Sequence, residues 1–299
     1  MDSVAEPNSQ PVSEKYAVTL SVIIVNFRNA PLLRLALRSL ARVLPDSFKT
    51  EVIVVDSAST PETQNVVRHD VAGLFGHCMS LPFAQNIGYT RGVNEGLRRA
   101  TGDYLLILNP DIIVLPGTLE RLVQFARAHP EAGLIGPGLM NLDNSRQESC
   151  FRFYTPLVIP ARRLWMPGMA ASVRRFLMRD TTFTGPTDVD WVMGSALLTS
   201  RRALAVVGIL DEQFFLYLSE VDWAWRFWEN GFHVVYTPTA QMYHAHQRQS
   251  KGRLGILDVV ARRETRWHIA DAIRYFRKHG ISGRRPTSNG PAQPHLLYA

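Results

Sequence analysis

Short apolar runs alternate with amphipathic stretches over the first half of the chain. Four runs are rich in aliphatic and β-branched residues and predict strands, as in a parallel sheet buried on both faces: residues 18–26, 51–55, 79–82 and 104–108. The stretches between and after them predict helices that begin at Pro31 or extend over residues 92–100 and 116–128. Four such strand–helix units predict an α/β fold with a Rossmann-like, doubly wound, mostly parallel sheet.

The remaining segments differ from this rhythm. Residues 1–16 predict a disordered leader, residues 17–250 one α/β domain, and residues 251–282 a C-terminal helical extension. Arginines among the apolar positions of that extension fit either packing on the domain or peripheral contact with anionic lipid. Residues 151–180 predict an exposed flap, which is either a plain surface excursion or a contact for an acceptor or a membrane. Residues 283–299 predict a disordered tail.

Composition and charge narrow the classes of partner. A chain of 299 residues with 46% hydrophobic and 20% charged residues can bury a sizeable core. The net charge of +7 fits a nucleic acid, an anionic membrane or an acidic small substrate, and does not choose among them. We predict no nucleic-acid partner, because no recognised binding motif accompanies the charge. Two cysteines without a CxxC pair fit a reducing cytoplasm. No apolar run reaches the roughly 20 residues of a membrane span.

Carboxylates follow two of the predicted strands, where ligands bind in such sheets. Asp56 ends the second strand and can accept hydrogen bonds from a nucleobase or a ribose, although it could equally cap the next helix. Asn109 and Asp111 follow residues 104–108, and Asp111 can offer oxygen to Mg²⁺ or Mn²⁺, although Asn-Pro-Asp is also ordinary turn chemistry. Two carboxylates at one sheet edge favour a ligand site.

Two more clusters lie in the second half. Glu220 and Asp222 stand among aromatic residues that would exclude water and raise the pKa of a general base, or they complement a helix dipole as first-turn acids. His244 and His246 alternate on one side of an extended segment, so either could complete a metal site, and a structural role is open for both.

Five motifs together resemble family 2 glycosyltransferases, which are inverting enzymes of the GT-A fold, and more narrowly their rhamnosyltransferase-like branch: SVIIVNF, VVDSAST, NIGYTRGVNEGLRRATGDYLLILNPDIIV, WVMGSALLTSRRAL and GILDEQFFLYLSEVDWAWR. The resemblance implies a GT-A catalytic domain over residues 17–250. It implies transfer of one sugar from dTDP-rhamnose or a UDP-sugar to a glycan or lipid-linked acceptor, for cell-surface polysaccharide, in the cytoplasm or at the inner face of the plasma membrane. The alternative is a non-catalytic sugar-nucleotide-binding or scaffold protein of the same fold.

The resemblance also assigns residues. Glu220 stands at the position of the base and is favoured over Asp222, and the implied cofactor is Mg²⁺ or Mn²⁺. Asn109 replaces the first aspartate of the Asp-x-Asp-like signature and leaves one carboxylate fewer for the metal. The predicted metal ligands are Asp111 with His244 or His246. The predicted donor-binding residues are Asn26, Asp56, Asn86, Arg91, Asn109 and Asp111. The predicted acceptor-binding residues are Gly194, Ser195 and Trp191.

The implied reaction is a single in-line displacement with inversion at the anomeric carbon. Residues 263–267 keep the Arg-Trp pair of the Gln-x-x-Arg-Trp signature of processive synthases but lack its glutamine, which favours addition of one sugar. A dinucleotide-dependent oxidoreductase is disfavoured, since residues 26–30 form no glycine-rich turn.

Overall fold

The computed structural model describes residues 18–164, 168–245 and 263–287. Within these ranges the chain forms the following strands: β1 (Val18–Phe27), β2 (Phe48–Ser57), β3 (His77–Pro82), β4 (Tyr104–Leu108), β5 (Ile112–Val114), β6 (Ala132–Met140), β7 (Cys150–Phe151), β8 (Thr187–Asp188), β9 (Trp191–Val192), β10 (Ala196–Ser200) and β11 (His233–His244). The four predicted strands correspond to β1 to β4.

The helices within the same ranges are α1 (Ala30–Val43), α2 (Pro61–Asn65), α3 (Tyr89–Arg99), α4 (Thr118–Ala128), α5 (Val158–Leu164), α6 (Ala170–Phe176), α7 (Arg201–Val207), α8 (Ser219–Glu229) and α9 (Arg263–His279). A π-helical turn, Val66–Asp70, follows α2. The sequence marks the start of α1, because the side chain of Asn29 accepts a hydrogen bond from the backbone of Leu32 and Pro31 lies in the first turn.

Nine of the described strands form one mixed sheet in the order β3-β2-β1-β4-β10-β6-β11-β5, with β8 paired to β11. Side chains alternate along β1, so Ile23 and Val25 enter a core shared with α3 and α8, and Val22 and Ile24 enter a core shared with α1 and α4. Helices therefore cover both faces, which confirms the doubly wound α/β fold.

Strand β10 reverses the direction of the sheet between two strands that run parallel to each other. It pairs antiparallel with β4 on one side and with β6 on the other, with Ala196 opposite Leu108. The start of β10 therefore meets the end of β4, where the sequence places Asn109. Six of the nine strands run one way and β5, β8 and β10 run the other, so the prediction of a mostly parallel sheet holds.

The segment predicted as an exposed flap is anchored in the core near its two ends, while residues 170–172 between them are exposed. Phe151 stacks on Trp191 with ring centroids 4.2 Å apart, and Phe176 and Tyr154 lie in the same buried cluster. The prediction was wrong because the aromatic residues that bury the segment are spaced irregularly among prolines and arginines. Trp165 and Pro167 lie outside the described residues.

The C-terminal helix α9 packs on the domain. Asp271 and Tyr275 of α9 are buried, and Trp267 packs against Phe215 with ring centroids 4.6 Å apart. Beyond α9, Arg285 Nε donates to Asp190 Oδ1 at 2.7 Å, so the predicted disordered tail begins too early at residue 283. The leader and residues 288–299 lie outside the described residues. Within the described ranges, no helix has the length and apolar character needed to cross a bilayer.

Candidate active site

The carboxyl ends of β1 and β2 hold Asn26 and Asp56 side by side. The two residues are register partners, and Asn26 Nδ2 donates to Asp56 Oδ1 at 2.8 Å. Thr63 Oγ1 donates to the other carboxylate oxygen at 2.5 Å, and both side chains at the strand ends are buried. Asn26 Oδ1 is buried without a hydrogen-bond partner in the described part of the chain. This pair is a fixed group of acceptors beside the ligand edge of the sheet.

Asn86 and Arg91 flank the start of α3. Asn86 Oδ1 accepts from the backbone N–H of Gly88 at 2.9 Å and from Ser57 Oγ at 3.2 Å, which ties this turn to the end of β2. Arg91 lies in the first turn of α3 with its guanidinium half-exposed and 3.9 Å from Glu95. The structure therefore brings Asn86 to the same sheet edge as Asp56 and leaves Arg91 accessible to an anion.

Asp111 and His244 meet because β11 pairs antiparallel with β5, just after the Asn-Pro-Asp turn. His244 Nε2 lies 3.3 Å from Asp111 Oδ2, and the backbone N–H of Ala245 donates to Asp111 O at 2.8 Å. His244 Nδ1 lies 2.8 Å from Gln147 Oε1, while Gln147 Nε2 donates to His244 O at 3.0 Å. The amide orientation of Gln147 thus makes Nδ1 the N–H donor and leaves Nε2 facing Asp111.

The groups present at this point fit a divalent cation. Asp111 Oδ1 is buried without a hydrogen-bond partner among the described residues, and the imidazole Nε2 of His244 stands opposite the other oxygen. The side-chain amide of Asn109 donates from Nδ2 to Ser195 Oγ at 3.4 Å. Among the described residues, no group of three or more His, Cys, Asp or Glu side chains is placed to hold a metal ion. His246, the alternative ligand, lies outside the described residues.

Glu220 lies in the first turn of α8, and its carboxyl group faces Gly194, just before β10. A Cβ added to Gly194 would lie 3.5 Å from Glu220 Cδ and 3.1 Å from the hydroxyl of Tyr89, which donates to Gly194 O at 2.6 Å. Burial and, to a smaller extent, the charge of Asp271 raise the pKa of Glu220 to about 7, against hydrogen bonds from its own backbone N–H and from Ser219. A carboxyl with this pKa can accept a proton near neutral pH.

Asp222, the second candidate base, points elsewhere. Its carboxylate is fully buried and contacts Arg226 at 3.0 Å, and both Lys278 and His279 at 2.7 Å. Burial alone would raise the pKa of Asp222, but hydrogen bonds from His279 and Lys278 and the charge of Arg226 hold it below its usual value. Asp222 therefore joins α8 to α9, and the geometry separates its role from that of Glu220.

The three predicted acceptor residues do not share one surface. Gly194 lines the space beside Glu220, and Ser195 is buried with its backbone carbonyl bound to Asn109 N at 2.9 Å. Trp191 lies in the aromatic core and donates from Nε1 to Arg152 O at 2.8 Å. Strand β9 turns the ring of Trp191 into the core, away from the space beside Glu220 that Gly194 lines.

Comparison with known proteins tests the family. The model of glycosyl transferase family 2 matches residues 21–178, which is more than half of the chain. The chain belongs to glycosyl transferase family 2. The matched stretch of family 2 includes Asp56, Asn86 and Asp111, whereas Glu220 and His244 lie C-terminal to it.

Two family 2 relatives extend the similarity over most of the chain. N-acetylglucosaminyl-diphospho-decaprenol L-rhamnosyltransferase of Mycobacterium tuberculosis is 29% identical over 255 residues, covering 78% of both chains. Rhamnosyltransferase WbbL of Escherichia coli is 22% identical over 250 residues, covering 80% of this chain and 87% of the relative. The predicted resemblance to a rhamnosyltransferase-like family 2 protein is confirmed.

Solved structures confirm the GT-A fold. GalNAc-T7, crystallised with UDP, GalNAc and Mn²⁺, superposes with a TM-score of 0.60 at 15% identity, over 77% of this chain and 44% of that one. Mannosyltransferase PcManGT from Pyrobaculum calidifontis, in complex with GDP-Man and Mn²⁺, gives 0.58 at 20% identity, over 91% and 66%. At these identities the likeness establishes the fold alone.

Proposed function

We propose that this family 2 glycosyltransferase moves one sugar from dTDP-rhamnose or a UDP-sugar to a hydroxyl of a lipid-linked glycan, with inversion. The observation that carries the proposal is the continuity of residues 194 and 195. Gly194 lies against Glu220. The backbone carbonyl of Ser195 accepts a hydrogen bond from the backbone N–H of Asn109, which lies two residues before Asp111. A base and a cation site therefore flank one short segment, as an in-line displacement between an acceptor and a diphosphate requires.

The donor end of the proposed site uses fixed acceptors and one cation. Asp56 would accept hydrogen bonds from the nucleoside, and Asn26 Oδ1 has the capacity for a donor from the ligand. Asp111 and His244 would hold Mg²⁺ or Mn²⁺, which when bound would neutralise charge on the diphosphate leaving group. Two protein ligands suit a cation whose other positions are taken by phosphate oxygens and water.

Glu220 is the proposed general base. Its carboxylate would take the proton from the acceptor hydroxyl while that oxygen attacks the anomeric carbon and the nucleoside diphosphate departs from the opposite face. Tyr89 and Gly194 leave room beside the carboxylate, because a glycine at position 194 adds no side chain to the space between them. No covalent enzyme intermediate is needed for a single inversion.

The lipid-linked acceptor is supported by the name of the mycobacterial relative, which includes a diphospho-decaprenol. The outer face of α9 suits a peripheral site at the inner face of the plasma membrane. Ile269 and Ile273 are 40% and 54% exposed, and Arg266 and Arg277 stand one turn to either side on the same face. An apolar strip between arginines fits an anionic lipid surface.

Calorimetric titration with UDP and with dTDP tests the donor and the cation together. Each nucleotide is titrated with Mn²⁺, with Mg²⁺ and with a chelator, on the wild type and on Asp111→Asn. We expect one nucleotide to bind with metal and to lose most of its affinity with chelator or in the variant. Equal binding with and without metal would refute the cation site, and failure of both nucleotides to bind would refute the donor class.

The competing function is a sugar-nucleotide-binding or scaffold protein of the same fold without turnover. Such a protein would also bind the nucleotide in the calorimetric titration. Release of free nucleotide from the donor therefore distinguishes the transferase from the scaffold protein. Release that depends on Glu220 supports the transferase, and binding with no release supports the scaffold.

A further inference from the structure

The segment that leads into Glu220 is held from outside the sheet. Leu218, at the cap of α8, adopts a left-handed conformation with φ 62°, which is unfavourable for a residue with a branched side chain. Such a conformation persists where the surroundings determine it. The residues that surround this turn therefore decide where α8 begins and where the side chain of Glu220 lies.

Asp271 of α9 supplies the polar part of that support. Its Oδ2 accepts from the backbone N–H groups of Tyr217 at 3.1 Å and Leu216 at 3.4 Å, and the residue is 0% exposed. Its other oxygen accepts from Arg274 Nη1 at 2.9 Å, and the Arg274 side chain is 47% exposed. A buried carboxylate that accepts two backbone N–H groups fixes those peptides more strongly than a neutral acceptor would.

Aromatic contacts support the same segment from both sides. Phe215 packs on Trp267 with ring centroids 4.6 Å apart, and Tyr217 packs on His268 at 4.8 Å. On the opposite side, a Cβ at Gly88 would lie 2.7 Å from Phe215 O, so the segment also abuts the start of α3. Residues 214–218 are thus enclosed between α9 and the turn that carries Asn86.

The charge of Asp271 also acts on Glu220. The groups that face Glu220 are Ser219 on its own helix, Tyr89 of α3, Tyr154 before α5 and Asp271 of α9. Burial raises the pKa of the hydroxyls of Tyr89 and Tyr154, so these two stay neutral near pH 7. Among these four groups, Asp271 is the one that brings a negative charge.

We propose that Asp271 is a positioning residue for the transfer reaction, which holds the backbone of residues 216 and 217 from α9 and so sets the place and the electrostatic surroundings of Glu220. The C-terminal helix is then part of the catalytic apparatus. The proposal rests on the proposed role of Glu220 as base. It predicts that a change in α9 alters turnover and its pH dependence without altering the donor site, which lies at β1, β2 and β4.

The test compares Asp271→Asn with Arg274→Met. Asp271→Asn keeps the size and one acceptor oxygen but removes the charge, so we expect kcat to fall about tenfold with donor KM and nucleotide affinity unchanged. The acid limb of the kcat profile should move to lower pH, because loss of a negative neighbour lowers the pKa of Glu220. Arg274→Met breaks the ion pair on the exposed side but leaves the bonds to residues 216 and 217, so it should keep wild-type kcat.

Glu220→Gln distinguishes a failure of the proposed base from a failure of the positioning role of Asp271. If Glu220→Gln is inactive and Asp271→Asn has a wild-type kcat and an unmoved acid limb, the positioning role is overturned and the base stands. If Glu220→Gln turns over normally, the base itself is wrong and the positioning role falls with it. A loss of kcat in Arg274→Met equal to that in Asp271→Asn would assign the effect to helix stability and overturn the proposal.

Trp267→Leu covers the case in which Asp271→Asn does not fold. It loosens the same segment through Phe215 and keeps the buried charge. We expect a lower kcat with the acid limb unmoved and unchanged nucleotide affinity by calorimetry. A wild-type kcat in a folded Trp267→Leu would contradict the proposal.

Discussion

His244 Nε2 faces Asp111 Oδ2 at 3.3 Å, and Gln147 holds the other ring nitrogen of the same histidine. Among the described residues, Gln147 forms no hydrogen bond with Asp111. It nevertheless fixes the tautomer of His244 that leaves Nε2 able to bind a cation. Gln147→Leu should therefore weaken Mn²⁺-dependent nucleotide binding by about 10–100-fold, and His244→Ala should weaken this binding further. Calorimetry with and without chelator measures this. His129→Ala, at a half-exposed histidine paired with Glu131, should bind as the wild type. Equal affinity in Gln147→Leu and wild type would contradict the role of the amide.

Glu220→Gln should reduce kcat by about 10²–10⁴-fold with nucleotide affinity unchanged, because the amide cannot take a proton from the acceptor. In the wild type, kcat should rise as the pH increases through about 7 and level off above it, since the base acts only when ionised. Steady-state rates between pH 5.5 and 9 measure both effects. Glu229→Gln, at the far end of the same helix, is the matched control and should keep the wild-type rate and profile. A pH-independent kcat over this range would argue against Glu220.

The raised pKa of Glu220 also predicts a cost in stability. A carboxyl whose pKa rises from 4.5 to about 7 on folding binds more protons in the native state, so the protein loses stability as the pH rises from about 4.5 to 7. Gln carries no such charge. The gain in Tm of Glu220→Gln over the wild type should therefore be larger at pH 8 than at pH 5.5. Thermal unfolding at both values measures it, and a gain that is larger at pH 5.5 would show that Glu220 is not buried against its charge.

The sequence predicted the fold from local signals. The apolar runs of β1, β2 and β4 are strong signals because burial on both faces leaves a continuous pattern. Pro31 marked the first turn of α1, which begins one residue earlier at Ala30. The reversal at β10 carries no such signal, since an antiparallel strand between parallel ones has the same apolar composition. The same limit applies to residues 151–180, whose aromatic residues are buried through contacts distant in sequence.

The sequence indicated the residues of the candidate site that follow strands. It missed the residues that reach the candidate site through contacts distant in sequence. Asp56, Asp111 and Glu220 stand at positions that topology and motif order indicate. Thr63 was missed because Thr60-x-x-Thr63 lacks the Glu or Gln of the usual capping-box signature, although the two threonines form a capping box in the structure. Gln147 and Asp271 reach the site over 97 and 54 residues of sequence, and no local pattern marks them. The sequence also could not separate Glu220 from Asp222, because their roles depend on the cations that α9 brings to Asp222.

Asp222→Asn should destabilise the fold rather than block chemistry. The change leaves Arg226, Lys278 and His279 around a buried position without their anionic partner, so we expect a loss of about 3 kcal/mol of unfolding free energy. Because the pKa of Asp222 is lowered on folding, this contribution is present above the unfolded pKa and is lost as the pH falls through the folded pKa. Denaturant unfolding at pH 7 measures the loss. Asp180→Asn, which removes an exposed partner of Arg174, should change stability little. A stable Asp222→Asn variant without turnover would make Asp222 the base.

The exposed strip on α9 is best tested by point variants, because deletion of the helix would remove the buried Tyr275 from the core and the partners of Asp222. The double variant Ile269→Ser/Ile273→Ser removes two half-exposed apolar side chains and should weaken binding to anionic vesicles by about tenfold, the equivalent of about 1–2 kcal/mol of apolar burial. Co-sedimentation with vesicles of anionic and of neutral lipid measures it, with the release of nucleotide from a donor in solution as the check on folding.

The matched control is Leu35→Ser/Leu74→Ser, which removes two leucines of similar exposure elsewhere on the surface and should bind vesicles as the wild type. Because Arg266 and Arg277 flank the strip, binding should also fall with salt and be weak on neutral lipid. Equal binding by the double variant and its control would mean that the strip does not contact lipid, and the acceptor would then reach Glu220 without help from α9.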